Sequence, residues 1–269
     1  MSTAKELDQF YTSPALAQYF VSKITSILPY DTYEMLLEPS AGTGSFYNLL
    51  DSRRVGLDLD PKCPGVEQLN FYDYVPPIPY PSILTIGNPP FGKNASDAVK
   101  FFNSAAKFSQ AIAFVIPRTF RKASLVNRLD DNFHCIFDET VPDNSFIFND
   151  KPYDVWCCMQ IWQRRPVKRP RIATKSISDA GKYWTIVEPK DADFCVQRVG
   201  GRAGLVRTED FRTYSTQSHY YIKSNHEQCL DIFKSLDYSD IKHNTAGNPS
   251  ISPSELVELF LAEAQKRSI

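Results

Sequence analysis

Among six cysteines, at positions 63, 135, 157, 158, 195 and 229, there is no C-x-x-C pair. The adjacent Cys157 and Cys158 fall in an apolar strand pattern and do not readily bridge to each other. All six read as reduced, mostly buried thiols, which argues against a disulfide-stapled secreted fold and points to an intracellular setting. The four histidines are scattered without metal-ligand spacing, so no metal site is expected. No apolar run approaches the ~20 residues needed to span a bilayer, and MSTAKELDQFYTS at the start has no apolar stretch of signal-peptide length. Internal repeats and low-complexity tracts are also missing. Net charge is only -1, so the chain as a whole does not advertise nucleic-acid binding.

Apolar material is plentiful. The 269 residues are 42% hydrophobic, with 18 Phe and 14 Tyr, enough for one large domain and a smaller one. Charge is uneven: residues 164–212 carry 12 Lys/Arg against 6 Asp/Glu. The solvated-face reading of such an excess competes with a phosphate-binding one.

The first part alternates short apolar runs with helical patterns, which predicts a parallel α/β sheet. Ser13 as N-cap and Pro14 at the first helical position open a helix to about residue 28. Strands are expected at 33–37, 54–57, 68–71, 82–86, 111–116, 133–140 and 155–163. Helices are expected after residue 45 and over 93–108 and 119–129, with a loop over 144–153. The basic, Pro-rich stretch 164–171 is helix-hostile. Beyond it come strand patterns at 194–199, 205–207 and 219–223, with a turn at Gly200-Gly201, and helices at 227–236 and 253–265. The domains are placed at 1–170 and 171–269.

Asn88-Pro89-Pro90-Phe91 carries the most chemistry. It follows the apolar run 83–87. Two prolines fix φ near -65° and remove two N–H donors, and Asn88 is pushed into an extended conformation. A rigid pair of acceptors remains, the Asn88 side-chain oxygen and the Pro89 carbonyl, with Phe91 beside them. This set suits an exocyclic amino group on a planar base. The competing reading is a Pro-rich turn.

Glu38-Pro39-Ser40-Ala41-Gly42-Thr43-Gly44 joins a strand to a helix, at the sheet edge where ligands bind. Glycine there permits close backbone approach to a ligand. No Lys-Ser/Thr follows the glycines, so this is not a phosphate loop. A carboxylate before them favours a cationic ligand. Asp58, at the next strand end, can accept from ribose hydroxyls. Tyr72-Asp73-Tyr74 offers an acceptor and flat rings for an adenine. An ordinary turn is the competing reading for each piece.

Taken in this order, the motifs resemble the S-adenosylmethionine-dependent adenine-N6 DNA methyltransferases whose cofactor motif precedes the Asn-Pro-Pro-aromatic motif. The likeness spans residues 9–164. It implies a doubly wound, Rossmann-like class I methyltransferase sheet with an antiparallel final hairpin, followed by a small C-terminal α+β domain. Tyr11 and Thr12, within Phe10-Tyr11-Thr12-Ser13-Pro14, match the segment that closes over the methionine end of the cofactor. Glu38, Pro39, Ser40, Gly42 and Gly44 match the cofactor loop. Asp58 and Leu59 match the ribose site, and Asp73 with Tyr74 the adenine site. Asn88, Pro89, Pro90 and Phe91 match the catalytic corner. Within Val141-Pro142-Asp143-Asn144-Ser145-Phe146, Phe146 matches the aromatic offered to an extruded base, with Phe148 as the alternative.

The resemblance implies DNA as partner, RNA as the alternative, and neither membrane nor metal. It implies a bacterial, phage or viral cytoplasm, or a eukaryotic nucleus. Residues 180–269 match no known pattern but occupy the place of a target-recognition domain, where Arg198, Arg202 and Arg207 are candidates for gripping a nucleic-acid backbone. Related corners also act on protein glutamine amides and on guanine amino groups of ribosomal RNA. Phe at 91 and the Phe-Tyr-Thr-Ser-Pro segment favour adenine. A catalytically inactive nucleic-acid-binding subunit on the same fold is the alternative from another class.

Overall fold

The computed structural model describes residues 10–79 and 81–269; residues 1–9, which include most of the N-terminal stretch read above, lie outside them. The chain divides into two compact units, Met1–Arg171 and Ile172–Ile269.

The first unit runs β1 (Tyr11–Thr12), α1 (Pro14–Ile27), β2 (Met35–Glu38), β3 (Arg54–Asp58), β4 (Glu67–Gln68), β5 (Ile83–Gly87), α2 (Ser96–Ala105) and β6 (Ala111–Pro117). It continues with α3 (Ala123–Val126), β7 (Phe133–Thr140), β8 (Phe146–Phe148), β9 (Lys151–Tyr153) and β10 (Cys157–Arg164). Seven strands form one sheet in the order β4-β3-β2-β5-β6-β10-β7. β4 to β6 pair in parallel, and β10 is antiparallel to both its neighbours. This is the doubly wound α/β sheet with an antiparallel final hairpin that the resemblance implies.

Alternation along the strands builds a layer on each face. Leu36, Leu84 and Ala113 pack with Leu16, Phe20 and Ile24 of α1. Their neighbours Leu37, Ile83 and Ile112 pack on the other face with Val99 and Phe102 of α2. α1 starts where the sequence says: Ser13 Oγ accepts from the Leu16 N–H at 3.3 Å, and Pro14 opens the helix.

The expected loop over 144–153 is instead a hairpin of β8 and β9. Asn149 and Asp150 both take positive φ, 49° and 58°, as a two-residue turn of the primed type requires. β1 pairs antiparallel with β8 and completes a three-stranded sheet. The expected helices at 45, 93–108 and 119–129 are shorter. The first is a 3-10 turn, Tyr47–Leu49, and the other two open as 3-10 turns before α2 and α3.

The second unit contains β11 (Trp184–Ile186), β12 (Phe194–Gln197), β13 (Val206–Arg207), β14 (His219–Ser224), α4 (Cys229–Ser235), α5 (Ser239–Lys242) and α6 (Pro253–Lys266). Its sheet is antiparallel in the order β11-β14-β12-β13. Trp184, Phe233 and Phe260 meet at ring-centroid distances of 5.0–5.8 Å in its core. Ser252 and Glu255 cap α6 reciprocally. β11 was not expected, because a three-residue strand leaves almost no periodic signal.

Candidate active site

The chain runs outward through β2, β3 and β4, then returns to the other side of β2 for β5 and β6. The loops leaving β2 and β5 therefore part in opposite directions, which opens a crevice at their carboxyl ends. The Glu38–Gly44 loop and the Asn88 corner meet there. The Ser40 hydroxyl donates to the Asn88 carbonyl at 3.2 Å across the gap. A cleft of about 430 Å³ follows, lined from Phe10 through the glycine loop to Phe101.

At one end of the cleft Tyr11 lies over Gly42. A Cβ at Gly42, whose φ is +51°, would stand 2.9 Å from Tyr11 Cε1, so glycine is required on both counts. Burial pushes the Tyr11 hydroxyl pKa up, against the pull of Lys62. The segment is tied down by its β1 pairing, by the Ser13 N–H donating to the Ser145 carbonyl at 2.9 Å, and by Ser45 Oγ donating to the Thr12 carbonyl at 2.7 Å.

Glu38 is 2% exposed. Burial holds its carboxyl well above the usual range, opposed by the Tyr47 backbone N–H and reinforced by the Asp58 charge. Asp58 has a different environment. Its Oδ2 accepts from the Gly42 N–H at 2.7 Å and its Oδ1 from the Asp60 N–H at 2.8 Å. Asp60 also pairs with Lys62 at 2.6 Å.

Asn88 sits between the two loops. Its Nδ2 donates to the Phe10 carbonyl at 2.9 Å, while its Oδ1 is buried and has no hydrogen-bond partner. Glu38 Oε2 and Thr12 Oγ1 share that condition, and all three residues line the cleft. Buried polar atoms are almost always paired. Three of these unpartnered atoms thus belong to residues lining one cavity, a set that a bound ligand would complete. The lining carries four carboxylates, Glu38, Asp58, Asp60 and Asp97, against the single ammonium of Lys100. That balance disfavours a phosphate and favours a ligand with a cationic end.

The cleft brings together Tyr11, Thr12, Glu38, Pro39, Ser40, Gly42, Asp58, Leu59, Asn88 and Pro90 of the residues singled out by sequence. Gly44 does not line it; its φ of +82° turns the chain above Cys63. Asp73 and Tyr74 are also outside. A 3-10 turn at Phe71–Asp73 carries them away, and the Tyr74 ring packs edge-on against Phe108 at 6.1 Å. Asn70, Phe71 and Tyr72 line that end instead, with Phe101. Asn70 Oδ1 caps the turn through the Tyr72 N–H at 3.1 Å.

Pro89 does not line the cleft, and Phe91 and Phe146 are buried in one apolar cluster, at 8% and 1% exposure. Phe148 instead joins Phe10 and Tyr153 in a ring cluster. Sequence reasoning passed over Tyr153, Asn70 and the Phe10 carbonyl. A backbone oxygen leaves no residue-type signal at all.

In the second unit Arg198 lies over the Tyr220 ring at 5.0 Å and Arg207 over Tyr214 at 4.9 Å, while Arg202 is exposed. None of the three has an ion pair or a hydrogen-bonded side chain among the described residues. The basic stretch before this unit behaves differently. Arg164 donates to the Ser109 and Ala106 carbonyls, and Arg169 to those of Phe133, Val126 and Leu129. Those two arginines staple the first unit together and are not free to grip a phosphate backbone.

Among the described residues no cluster of His, Cys, Asp and Glu has the geometry of a metal site, and no helix is long and apolar enough to cross a membrane.

No protein-family model and no curated protein matches the chain. Solved structures with similar folds include a candidate RNA methyltransferase from Pyrococcus horikoshii, 15% identical with a TM-score of 0.47, covering 61% of this chain and 90% of that one. A candidate class I S-adenosylmethionine-dependent methyltransferase from Listeria monocytogenes is 14% identical with a TM-score of 0.43, covering 61% and 64%. The 23S rRNA methyltransferase ErmE is 16% identical with a TM-score of 0.41, covering 61% and 72%. Likeness at this level transfers neither substrate nor chemistry, so both have to be argued from the cleft itself.

Proposed function

We propose that the first unit binds S-adenosylmethionine and methylates the N6 amino group of adenine in DNA, with the base turned out of its stack. The observation that carries this reading is the buried, unpartnered Asn88 Oδ1, held beside a cleft that combines a glycine loop, a buried acid and a strand-end carboxylate. The residues fit the cofactor. Glu38 and the acidic lining suit its cationic end, Asp58 its ribose hydroxyls, and Asn70, Tyr72 and Leu59 its adenine. The bound cofactor would supply a methyl group on a cationic sulfur, which becomes a neutral thioether as the C–S bond breaks and the N–C bond forms, and the methylated nitrogen gives up one N–H proton to solvent.

The chain's own work is positional. An adenine amino group is a poor nucleophile, because its lone pair is delocalised into the ring. Asn88 Oδ1 accepts one of its hydrogens and favours a more tetrahedral nitrogen, so its stabilisation grows toward the transition state, while the second acceptor expected from the sequence, the Pro89 carbonyl, belongs to a residue outside the cleft lining. Pro89 and Pro90 keep those acceptors rigid, and rigid placement of reacting groups is worth about 7–11 kcal/mol. A base within a duplex is out of reach of such a cleft, which requires extrusion or a single strand. Phe91 is the ring closest in sequence to the acceptors, and in this state it is packed in the core.

The test is methyl transfer from labelled S-adenosylmethionine to separate DNA, RNA and protein substrates, with the modified nucleoside identified by mass spectrometry. N6-methyladenine in DNA is expected. The same product in RNA alone would move the substrate but keep the chemistry. Binding of the cofactor with no transfer to any substrate would overturn catalysis in favour of an inactive subunit.

A further inference from the structure

An asparagine amide has two ends of opposite character, and a site that holds an amino group needs the oxygen facing it. At Asn88 a single neighbour decides the matter. The Phe10 carbonyl is an acceptor, so it can receive only Nδ2–H, here at 2.9 Å. The opposite flip would set two oxygens against each other and bury a donor where the substrate presents another donor.

The Phe10 carbonyl is itself held from outside the cleft. The Phe10 ring stacks on Tyr153 at 5.2 Å with planes 10° apart. Phe148 meets Phe10 and Tyr153 at 5.5 Å each. Tyr153 lies on β9 and Phe148 on β8, the strand that pairs with β1 one residue beyond Phe10. The hairpin therefore meets the Phe10 ring directly and holds the chain from the next residue onward. Aromatic pairs of this kind contribute about 0.5–1.5 kcal/mol beyond area burial.

We infer that the Phe10 carbonyl sets the polarity of the Asn88 amide, and that the β8–β9 hairpin, through the Tyr153 and Phe148 rings, is the positioning element that keeps it there. The inference rests on the proposed function in one respect: it makes the cleft selective for a hydrogen-bond donor on the substrate. Tyr153 is 40% exposed and does not line the cleft, so its removal takes no side chain out of the cleft lining.

Two measurements test this. In protein labelled at asparagine nitrogen, the Asn88 side-chain amide is assigned by its loss in Asn88→Asp, and its hydrogen exchange is followed. Slow exchange is expected in the wild type, with acceleration of about ten- to a hundredfold in Tyr153→Ala and restoration in Tyr153→Phe, which keeps the ring. Fast exchange in the wild type, or no change in Tyr153→Ala, would overturn the inference.

The second measurement is the pH profile of Asn88→Asp. A protonated aspartic acid donates to the Phe10 carbonyl and leaves the other oxygen as acceptor, whereas the ionised form opposes that carbonyl. At saturating cofactor, residual methyl transfer should therefore rise as pH falls. Residual transfer that does not rise would overturn it. If the wild-type protein transfers no methyl group to any substrate, the proposed function fails, and the exchange measurement alone still decides the inference.

Discussion

Asp58, at the end of β3, and Gly42, in the loop that leaves the neighbouring β2, are joined by one hydrogen bond in which the Gly42 N–H donates to Asp58 Oδ2 at 2.7 Å. The strand-end carboxylate thus has a structural task, fixing the glycine loop, as well as the ligand-binding task proposed for its remaining lone pairs. Asp58→Ala removes both. Losing a hydrogen bond to a charged group costs about 1.5–3 kcal/mol, and every 1.4 kcal/mol is about tenfold in affinity. Calorimetry should show S-adenosylmethionine binding weakened by about ten- to a hundredfold. An unchanged dissociation constant would leave Asp58 a turn cap only, and Asp60 would be the next ribose candidate.

Glu38 gives a pH dependence whose sign follows from its burial. Its carboxyl pKa lies well above the usual range in the free protein, so folding favours its protonated form. That contribution to stability is fully present below the unfolded pKa and is lost as pH rises through the folded one. A cationic ligand prefers the ionised form. Cofactor affinity should then rise with pH through the folded pKa and level off above it. Glu38→Gln should flatten that rise and weaken binding, yet melt no lower than wild type at neutral pH, because the amide carries no charge to bury. A Glu38→Gln protein with wild-type affinity and wild-type pH dependence would remove Glu38 from the cofactor site.

Asn88→Ala separates chemistry from binding. In the proposed reaction the acceptor it removes interacts mainly with the substrate amino group in the transition state, so kcat should fall by more than tenfold with little change in cofactor affinity. Single-turnover rates and calorimetry on the same preparation read the two quantities. Retention of more than about a tenth of the activity would free Asn88 of its proposed role.

Much of this site was legible in the sequence because its parts sit at strand ends, where apolar runs stop abruptly. Ile83–Gly87 is buried throughout, and Asn88 follows directly. The motif order Glu38, Asp58, Asn88 then maps onto the crevice through the strand order alone. At one end of the cleft the residues expected from the sequence, Asp73 and Tyr74, lie outside the lining. Asn70, Phe71 and Tyr72 line the cleft while Asp73 and Tyr74 leave it where the chain turns through a single 3-10 turn, and a turn that short carries no side-chain periodicity to announce it. The hairpin was hidden because its turn is Asn149-Asp150, without the glycine that marks most such turns. The arginines of 164–171 misled through composition. Charge counts cannot tell Arg169, which donates to three carbonyls, from Arg171, which is exposed.

That distinction supplies the last prediction. Arg198, Arg202 and Arg207 have no carboxylate partner among the described residues; Arg202 is exposed, and Arg198 and Arg207, half-buried with their Nε atoms unpartnered, are braced against tyrosine rings. If they meet a nucleic-acid backbone, each phosphate contact contributes about 0.9 to the slope of log affinity against log salt. Replacing all three by glutamine should weaken DNA binding and flatten that slope by up to about three contacts' worth, with cofactor affinity unchanged. Replacing them by lysine should keep most of the slope, since it preserves the charge and loses only the ring contact, worth about 0.5–1 kcal/mol each. Arg169→Gln should behave in the opposite way. It strips hydrogen bonds from the carbonyls of Val126, Leu129 and Phe133, at about 1.5–3 kcal/mol each for a charged donor. The melting temperature should fall while the salt slope stays at its wild-type value. Fluorescence anisotropy over a salt series, with thermal melts of the same proteins, reads both. A triple glutamine variant with the wild-type affinity and slope would remove these arginines from any nucleic-acid contact, and an Arg169 variant that lost slope without losing stability would reassign that residue from staple to binding surface.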